Sequence, residues 1–310
     1  MIDAEITFRK LEIFLCYMEQ ETIGRAAAEL GLSNVSVHRA LHSLEEGMRC
    51  PLFTHKGRNL VPLPQAYRLA EHAQIVLNQM RQGIDETRQL AGVGQGRIRI
   101  GTLYSLTLDT VPRLLMGLKL RRSDLEVDLT MGSNSDLLHQ LEHQKLNAIL
   151  ISVSDTVVDP HQFEILPLFQ DKIYLAAPKT STLNDRRAVD LCELEHESFV
   201  SLNEGFATYN GFQEAFKIAG FKPKIATRVN DIFSMVNLVQ AGVGYTLLPG
   251  RLTHAYRDSV KILELAPAYQ MRQTIALVFA HNQELDPYLL ALVAEGRMYA
   301  RRREELDQRD

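Results

Sequence analysis

Between Ser33 and Leu44 the chain reads SNVSVHRALHSL, and Asn34, Ser36, His38, Arg39 and His42 bring amide, hydroxyl, imidazole and guanidinium groups to the outward side of one helix. Groups of this kind read base edges in a DNA major groove, and a helix N-terminus beside them approaches phosphate. The stretch yields Ser33, Asn34, Ser36, Val37, His38, Arg39 and His42 as the candidate DNA-contacting set. An ordinary solvated helix in an all-α bundle would show the same polar face.

The elements around this stretch argue for the first reading. GRAAAELGL leads into it: Leu30 closes a short helix, Gly31 supplies a turn that tolerates positive φ, and Ser33 can cap the next helix. That is a helix-turn-helix. Val37, Leu41 and Leu44 recur at steps of four and three, as core-facing residues of the second helix do. Phe8, Leu11, Phe14, Leu15 and Met18 form an apolar stripe to pack behind the pair, and Thr22 is a candidate N-cap. After Leu44 the period changes. Leu52 and Phe53, the turn-like Lys56-Gly57-Arg58-Asn59 and the extended Leu60-Val61-Pro62 predict a β-wing with Lys56 and Arg58 at its tip. These two cations would hold flanking phosphates, although charged tips are also the norm on solvated hairpins.

From Gln65 to about Leu90 a helical pattern runs with Leu69, Ala73, Val76, Met80, Ile84 and Thr87 on one stripe. An isolated helix of this length needs a partner, which predicts a dimerisation linker; an intramolecular core helix is the alternative. Gly92, Gly94 and Gly96 precede a strand rather than follow one, so they mark a hinge and not a dinucleotide fingerprint.

Beyond the hinge strands and helices alternate. Strands are expected at Arg97 to Gly101, Leu125 to Met131, Asn147 to Val153, Ile173 to Ala177, Phe199 to Leu202, Lys224 to Val229, Tyr245 to Pro249, Lys261 to Leu265 and Gln273 to Ala280. Helices are expected at Val111 to Arg121, Ser135 to Gln144, Gly211 to Ala219, Ile232 to Ala241 and Pro287 to Arg303. Alternation of this kind predicts parallel sheet sandwiched by helices, long enough for two α/β subdomains with a cleft. Small ligands bind at the carboxyl ends of such strands. Three strand-to-helix loops there offer hydroxyls beside helix N-termini, suited to a carboxylate: Tyr104-Ser105-Leu106-Thr107, Gly132-Ser133-Asn134-Ser135 and Glu204-Gly205-Phe206-Ala207-Thr208. Each taken singly is also an ordinary cap.

Composition narrows the class. The 310 residues are 45% hydrophobic with a net charge of -4, which excludes an indiscriminate nucleic-acid coat and suggests two or more domains. Even the first 64 residues are not basic, so any cations that meet DNA must cluster on one face. Cys16, Cys50 and Cys192 stand apart without CxxC spacing, which fits a reducing cytoplasm and indicates neither zinc nor a disulfide framework. No apolar run is long enough to span a membrane. No GxSxG, HExxH or P-loop pattern supports an enzyme, no cofactor motif is read, and His139 and His143, at i and i+4, lack a third ligand in pattern.

With these residues in hand, AAAELGLSNVSVHRALHSLEE followed by PLF resembles the reader of the LysR-type transcriptional regulators, and LVQAGVGYTLLP resembles a signature of their effector domain. The resemblance implies a winged helix-turn-helix over residues 1–64, a linker and dimerisation helix over 65–91, and a periplasmic-binding-protein-like effector domain over 92–310. The last divides into subdomain I (about 97–166 and 270–300) and subdomain II (about 167–265). It also implies double-stranded promoter DNA, RNA polymerase and a homodimer or homotetramer as partners. Carried over residue by residue, Ser105 falls at the first inducer-contacting hydroxyl, followed by Leu106; Ser133 falls in the second loop, and Phe206 and Thr208 in the third. Within the family GVGQGRIRIGTLYSLTLDTVPR, DLTMGSN, EGFATYNGFQEAF and RVNDIFSM are similar to the regulators of malonate decarboxylase operons. That implies malonate as inducer and control of malonate catabolism; a family member answering another small metabolite is the alternative. For a dianion one cation would help, and Arg228, at a strand end, is the candidate; a surface salt bridge is the other role open to it.

Overall fold

The structure is a computed structural model and describes residues 2–56, 59–91, 96–154, 158–183, 188–281 and 286–307. The chain divides into two units, Met1–Gly94 and Gln95–Asp310. Gly57 and Arg58 of the wing tip and the hinge glycines Gly92 and Gly94 lie outside the described residues.

In the first unit, α1 (Phe8–Gln20), α2 (Ile23–Leu30) and α3 (Asn34–Met48) are followed by a hairpin of β1 (Phe53–Lys56) and β2 (Asn59–Pro62), then by α4 (Pro64–Leu90). Local chemistry sets the helix ends. Thr7, Thr22 and Ser33 each cap a helix by accepting a hydrogen bond from the backbone N–H three residues on, and Gly31 closes α2 with φ of 63°. The α1 stripe buries Leu11, Phe14 and Tyr17, while Phe8 is exposed. The Tyr17 hydroxyl donates to the Leu60 carbonyl at 2.8 Å, and the Phe14 and Tyr17 rings meet Phe53 edge-on. The Glu45 carboxylate accepts from the Leu52 and Phe53 N–H groups at 2.7 and 3.0 Å, fixing the chain between α3 and the wing. Pro64 opens α4, where its missing N–H costs nothing. Ala66, Ala73 and Leu77 of α4 join this core, whereas Ile75, Val76, Met80 and Ile84 are exposed.

The second unit runs β3 (Arg97–Thr102), α5 (Thr110–Arg121), β4 (Glu126–Met131), α6 (Asn134–Glu142), β5 (Ala148–Ser152), β6 (Phe163–Ala177), β7 (Ser198–Leu202), α7 (Ala207–Ala219), β8 (Lys224–Val229), α8 (Ile232–Gln240), β9 (Thr246–Pro249), α9 (Thr253–Tyr256), β10 (Lys261–Leu263), β11 (Arg272–Ala280) and α10 (Pro287–Asp307). Among the described residues seven strands join in the order β10-β6-β11-β5-β3-β4, with β9 also on β6. β3 is parallel to β4 and β5, and β7 is parallel to β8, as alternation predicts.

The expected all-parallel sheet is corrected elsewhere. β11 runs antiparallel to β5 and β6, and β9 and β10 run antiparallel to β6. The reason lies in β6, fifteen residues long and continuous through the expected subdomain boundary near residue 166. Its first half lies in the β3–β4–β5 layer and its second half in the β9–β10 layer. The chain returns beside it as β11, with a register shift at Ile275/Ala276. Two crossing strands therefore connect the lobes. One core gathers Ile98, Ile100, Leu114, Ile149, Leu277 and Leu292 in the first lobe. In the second, Phe199, Phe212, Phe216 and Leu247 pack on one side of the sheet and Val200, Val236 and Leu248 on the other.

Candidate functional site

Two places collect the side chains singled out above. The first is the outward face of α3. Ser33, Asn34, Ser36, His38, Arg39 and His42 are all exposed on it. Asn34, His38, Arg39 and His42 line an open concavity of about 720 Å³ with Ile23, Val35, Ser43 and Glu46. The Ser33 hydroxyl is engaged as the cap, 3.1 Å from the Ser36 N–H and 2.8 Å from the Ser36 hydroxyl. His42 lies 3.4 Å from Glu46, both exposed. Val37 must be moved out of the contact set: it is fully buried with Ala40, Leu41 and Leu44, because steps of three and four return it to the inner side of the helix. Val35, 67% exposed, takes its place as the apolar group on that face, suited to a thymine methyl. Lys56 is exposed at the end of β1, and Arg58 lies outside the described residues.

The second is a cavity of about 20 Å³ in the second unit, lined by Leu103, Tyr104, Ser105, Leu202, Phe206, Ala207, Thr208, Ile232 and Arg251. The strands explain the gathering. Ser105 follows the carboxyl end of β3, Phe206 and Thr208 follow β7, Ile232 follows β8 and Arg251 follows β9, the ends where loops converge. Phe206 is the N-cap of α7 and makes no side-chain cap bond, so the helix presents its first N–H groups at Ala207 and Thr208. Thr208 is 7% exposed, and its hydroxyl has no hydrogen bond among the described residues. A volume of 20 Å³ is the order of one water, so any organic anion must part these walls to enter.

Of the loop residues expected here, Tyr104, Ser105, Phe206, Ala207 and Thr208 line the cavity, and Leu106, Thr107, Ser133 and Asn134 are not among its lining residues. Leu106 is buried in the first-lobe core. The Thr107 hydroxyl donates to the Tyr104 carbonyl at 2.6 Å and braces the turn Tyr104–Leu108. Ser133 caps α6, accepting from the Asp136 N–H at 3.1 Å and donating to its carboxylate at 2.7 Å, and the Asn134 amide donates to the Ser152 carbonyl at 2.6 Å. That loop does reach across to the third one: the Ser135 N–H and hydroxyl both donate to the Gly205 carbonyl at 3.3 Å.

The cavity wall holds Arg251, and Arg228 is not among its lining residues. Strand alternation turns Arg228 outward on β8, where it is exposed. The Arg251 side chain is 8% exposed. Its Nε donates to the Ser105 hydroxyl at 2.7 Å, and its Nη1 donates to Asp171 at 2.8 Å and to Gln273 at 3.2 Å. Burial pulls the guanidinium pKa down from its ordinary range and Asp171 pulls it back up, and an arginine stays charged under both. The rule that ligands meet strand ends pointed to this position, since Gly250-Arg251 directly follows a strand legible as YTLLP.

Residues 8–66 match the family description "Bacterial regulatory helix-turn-helix protein, lysR family", and residues 91–300 match "LysR substrate binding domain". The chain belongs to the LysR family. It is a DNA-binding transcriptional regulator and not an enzyme. Among LysR-family relatives, the malonate utilization transcriptional regulator of Klebsiella pneumoniae is 59% identical over 300 residues, 97% of each chain. The transcriptional dual regulator GltC of Bacillus subtilis (strain 168) is 28% identical over 282 residues, 90% of this chain and 92% of that one. The fold matches the crystal structure of CbnR, a LysR family transcriptional regulator, with a TM-score of 0.70 at 19% identity over 95% of this chain and 99% of that one. CbnR complexed with its target DNA gives 0.69 at 19% identity over 95% and 100%.

Proposed function

We propose that this LysR-family protein controls an operon for malonate catabolism, with malonate as the effector held between the two lobes of its second unit. The observation that carries the reading is full-length identity of 59% to a malonate utilization regulator. The cavity is consistent with it. A short dianion suits hydroxyls at Ser105 and Thr208, the N–H groups at the start of α7 and one buried guanidinium.

The protein works in the cytoplasm, where the outward face of α3 reads the operator and Lys56 and Arg58 hold phosphates. The exposed apolar residues of α4 seat a second copy, in a homodimer or a homotetramer. Malonate parts and re-seats the lobes, shifting the population of closed clefts, and the shift alters how an oligomer spaces or bends the promoter for RNA polymerase.

The test is thermal shift of the full chain against malonate, methylmalonate, succinate and acetate, followed by fluorescence anisotropy on the duplex upstream of its own and neighbouring genes. Malonate at one hundred times its Kd adds about 2.7 kcal/mol of stability. Stabilisation by malonate together with a malonate-dependent change in binding of that duplex is expected. Preference for another acid reassigns the effector, and no preference for the upstream duplex over random DNA ends the operator reading.

A further inference from the structure

We infer that Arg251 is the group that takes the effector's carboxylate, and that it does so while anchored to both strands that connect the lobes. The inference rests on the effector-cavity reading above and names the residue that reading lacked.

The anchoring is built into the backbone. Arg251 N–H points at both Asp171 oxygens, 3.1 Å from each, and Asp171 lies on β6. A Cβ at position 250 would stand 2.6 Å from Asp171 Oδ1 and 3.2 Å from the Lys172 carbonyl, so only glycine lets the chain lie this close. Nη1 then ties the guanidinium to Asp171 on β6 and to Gln273 on β11. These bonds hold the fork rigid.

What is left over belongs to a side chain in the cavity wall. A guanidinium has five N–H donors; Nε and Nη1 use three, and Nη2 has no partner among the described residues. Among the described residues Arg251 is the one charged side chain in the lining, 8% exposed and with apolar Leu103, Leu202 and Ile232 also in the lining. Ser105 accepts from Nε, which leaves its own O–H to donate. Two N–H groups on Nη2, the Ser105 O–H and the Thr208 hydroxyl make a donor-rich set whose natural complement is an anion with acceptors only, a carboxylate. Asp171 already balances the charge of Arg251, so a carboxylate is held by charge-assisted hydrogen bonds, and its second carboxylate falls to the start of α7.

The arrangement makes an unusual demand on Asp171. Asp171→Asn keeps an amide oxygen to accept from Arg251 and removes the counter-charge, so if Arg251 binds the anion the variant tightens binding, and if Arg251 only holds the fold it does not. The experiment is isothermal titration of malonate, succinate and the uncharged diamide malonamide into the full-length protein and its Arg251→Gln/Asp171→Asn, Arg251→Lys and Asp171→Asn variants. The double substitution removes both charges together, so no buried charge is stranded, and circular dichroism checks folding.

We expect the double variant to bind malonate at least thirtyfold more weakly and to lose the preference for malonate over malonamide. Arg251→Lys should recover part of the loss, and Asp171→Asn should tighten malonate several-fold. Wild-type affinity for malonate in the folded double variant overturns the inference and leaves the malonate reading intact. If wild type prefers succinate, the same comparison on succinate decides the role of Arg251 while malonate falls. If it takes no acid of the panel, both fall.

Discussion

Val37→Ala separates two roles that a single helix can hide. Val37 sits in the middle of the segment with the DNA-facing chemistry yet is fully buried against Leu41, Leu44 and their neighbours. Truncation removes two buried carbons, about 1.6 kcal/mol of transfer free energy at about 0.8 kcal/mol each. The space left, roughly 50 Å³, adds about 1.2 kcal/mol if nothing relaxes, so a total of about 2–3 kcal/mol is expected. Hydrogen exchange of the α3 amides reads this unit within the full chain, and a loss of that size speeds exchange by roughly 30- to 150-fold. Arg39→Ala should do the reverse: α3 protection stays as it is, and anisotropy on the upstream duplex shows about 1–3 kcal/mol less affinity with relaxed preference at one base. A Val37→Ala protein with undisturbed α3 exchange and a sequence-selective loss of DNA binding would refute the assignment of inner and outer faces.

Three further outcomes follow from the geometry. Lys56→Ala should weaken binding to all duplexes alike and reduce the salt slope by about one, measured by anisotropy between 50 and 200 mM salt. Gly205→Ala should destabilise the second unit by about 1–3 kcal/mol in urea unfolding: residue 205 has φ of 95°, and a Cβ there would stand 2.3 Å from the Ser135 hydroxyl, breaking the contact between the two loops. Val76→Asp/Met80→Asp should leave α4 folded, since both positions are exposed, and lower the oligomeric state in sedimentation velocity; an unchanged mass would place the interface elsewhere.

Much of the first unit was legible because its determinants are local. Thr22 and Ser33 cap helices through bonds that span three residues, and the wing follows from a turn tetrad between two short apolar runs. The sheet was not legible in the same way. β6 and β11 pair over about a hundred residues of sequence, and an apolar run carries no information on the direction of its neighbour. The candidate site divides along the same line. Ser105, Phe206 and Thr208 were found from strand ends and hydroxyls, but the choice of arginine needed to know which one turns inward. Arg228 sits on an outward register of β8, and Arg251 sits in a turn whose use depends on Asp171, eighty residues away. Gly96 likewise reads as a hinge in sequence, yet a Cβ there would overlap the Tyr288 ring at 2.0 Å, so its absence of a side chain also makes room for α10.

The unbroken course of β6 and β11 carries one more implication. Lobes joined by a floppy tether would settle wherever a guest left them, whereas lobes joined by a hydrogen-bonded ladder are restored by its elasticity once the guest departs. Under the proposed effector reading, such a spring would let the protein reset as the metabolite is consumed, and the register shift at Ile275/Ala276 is the place in the ladder where its stiffness would change.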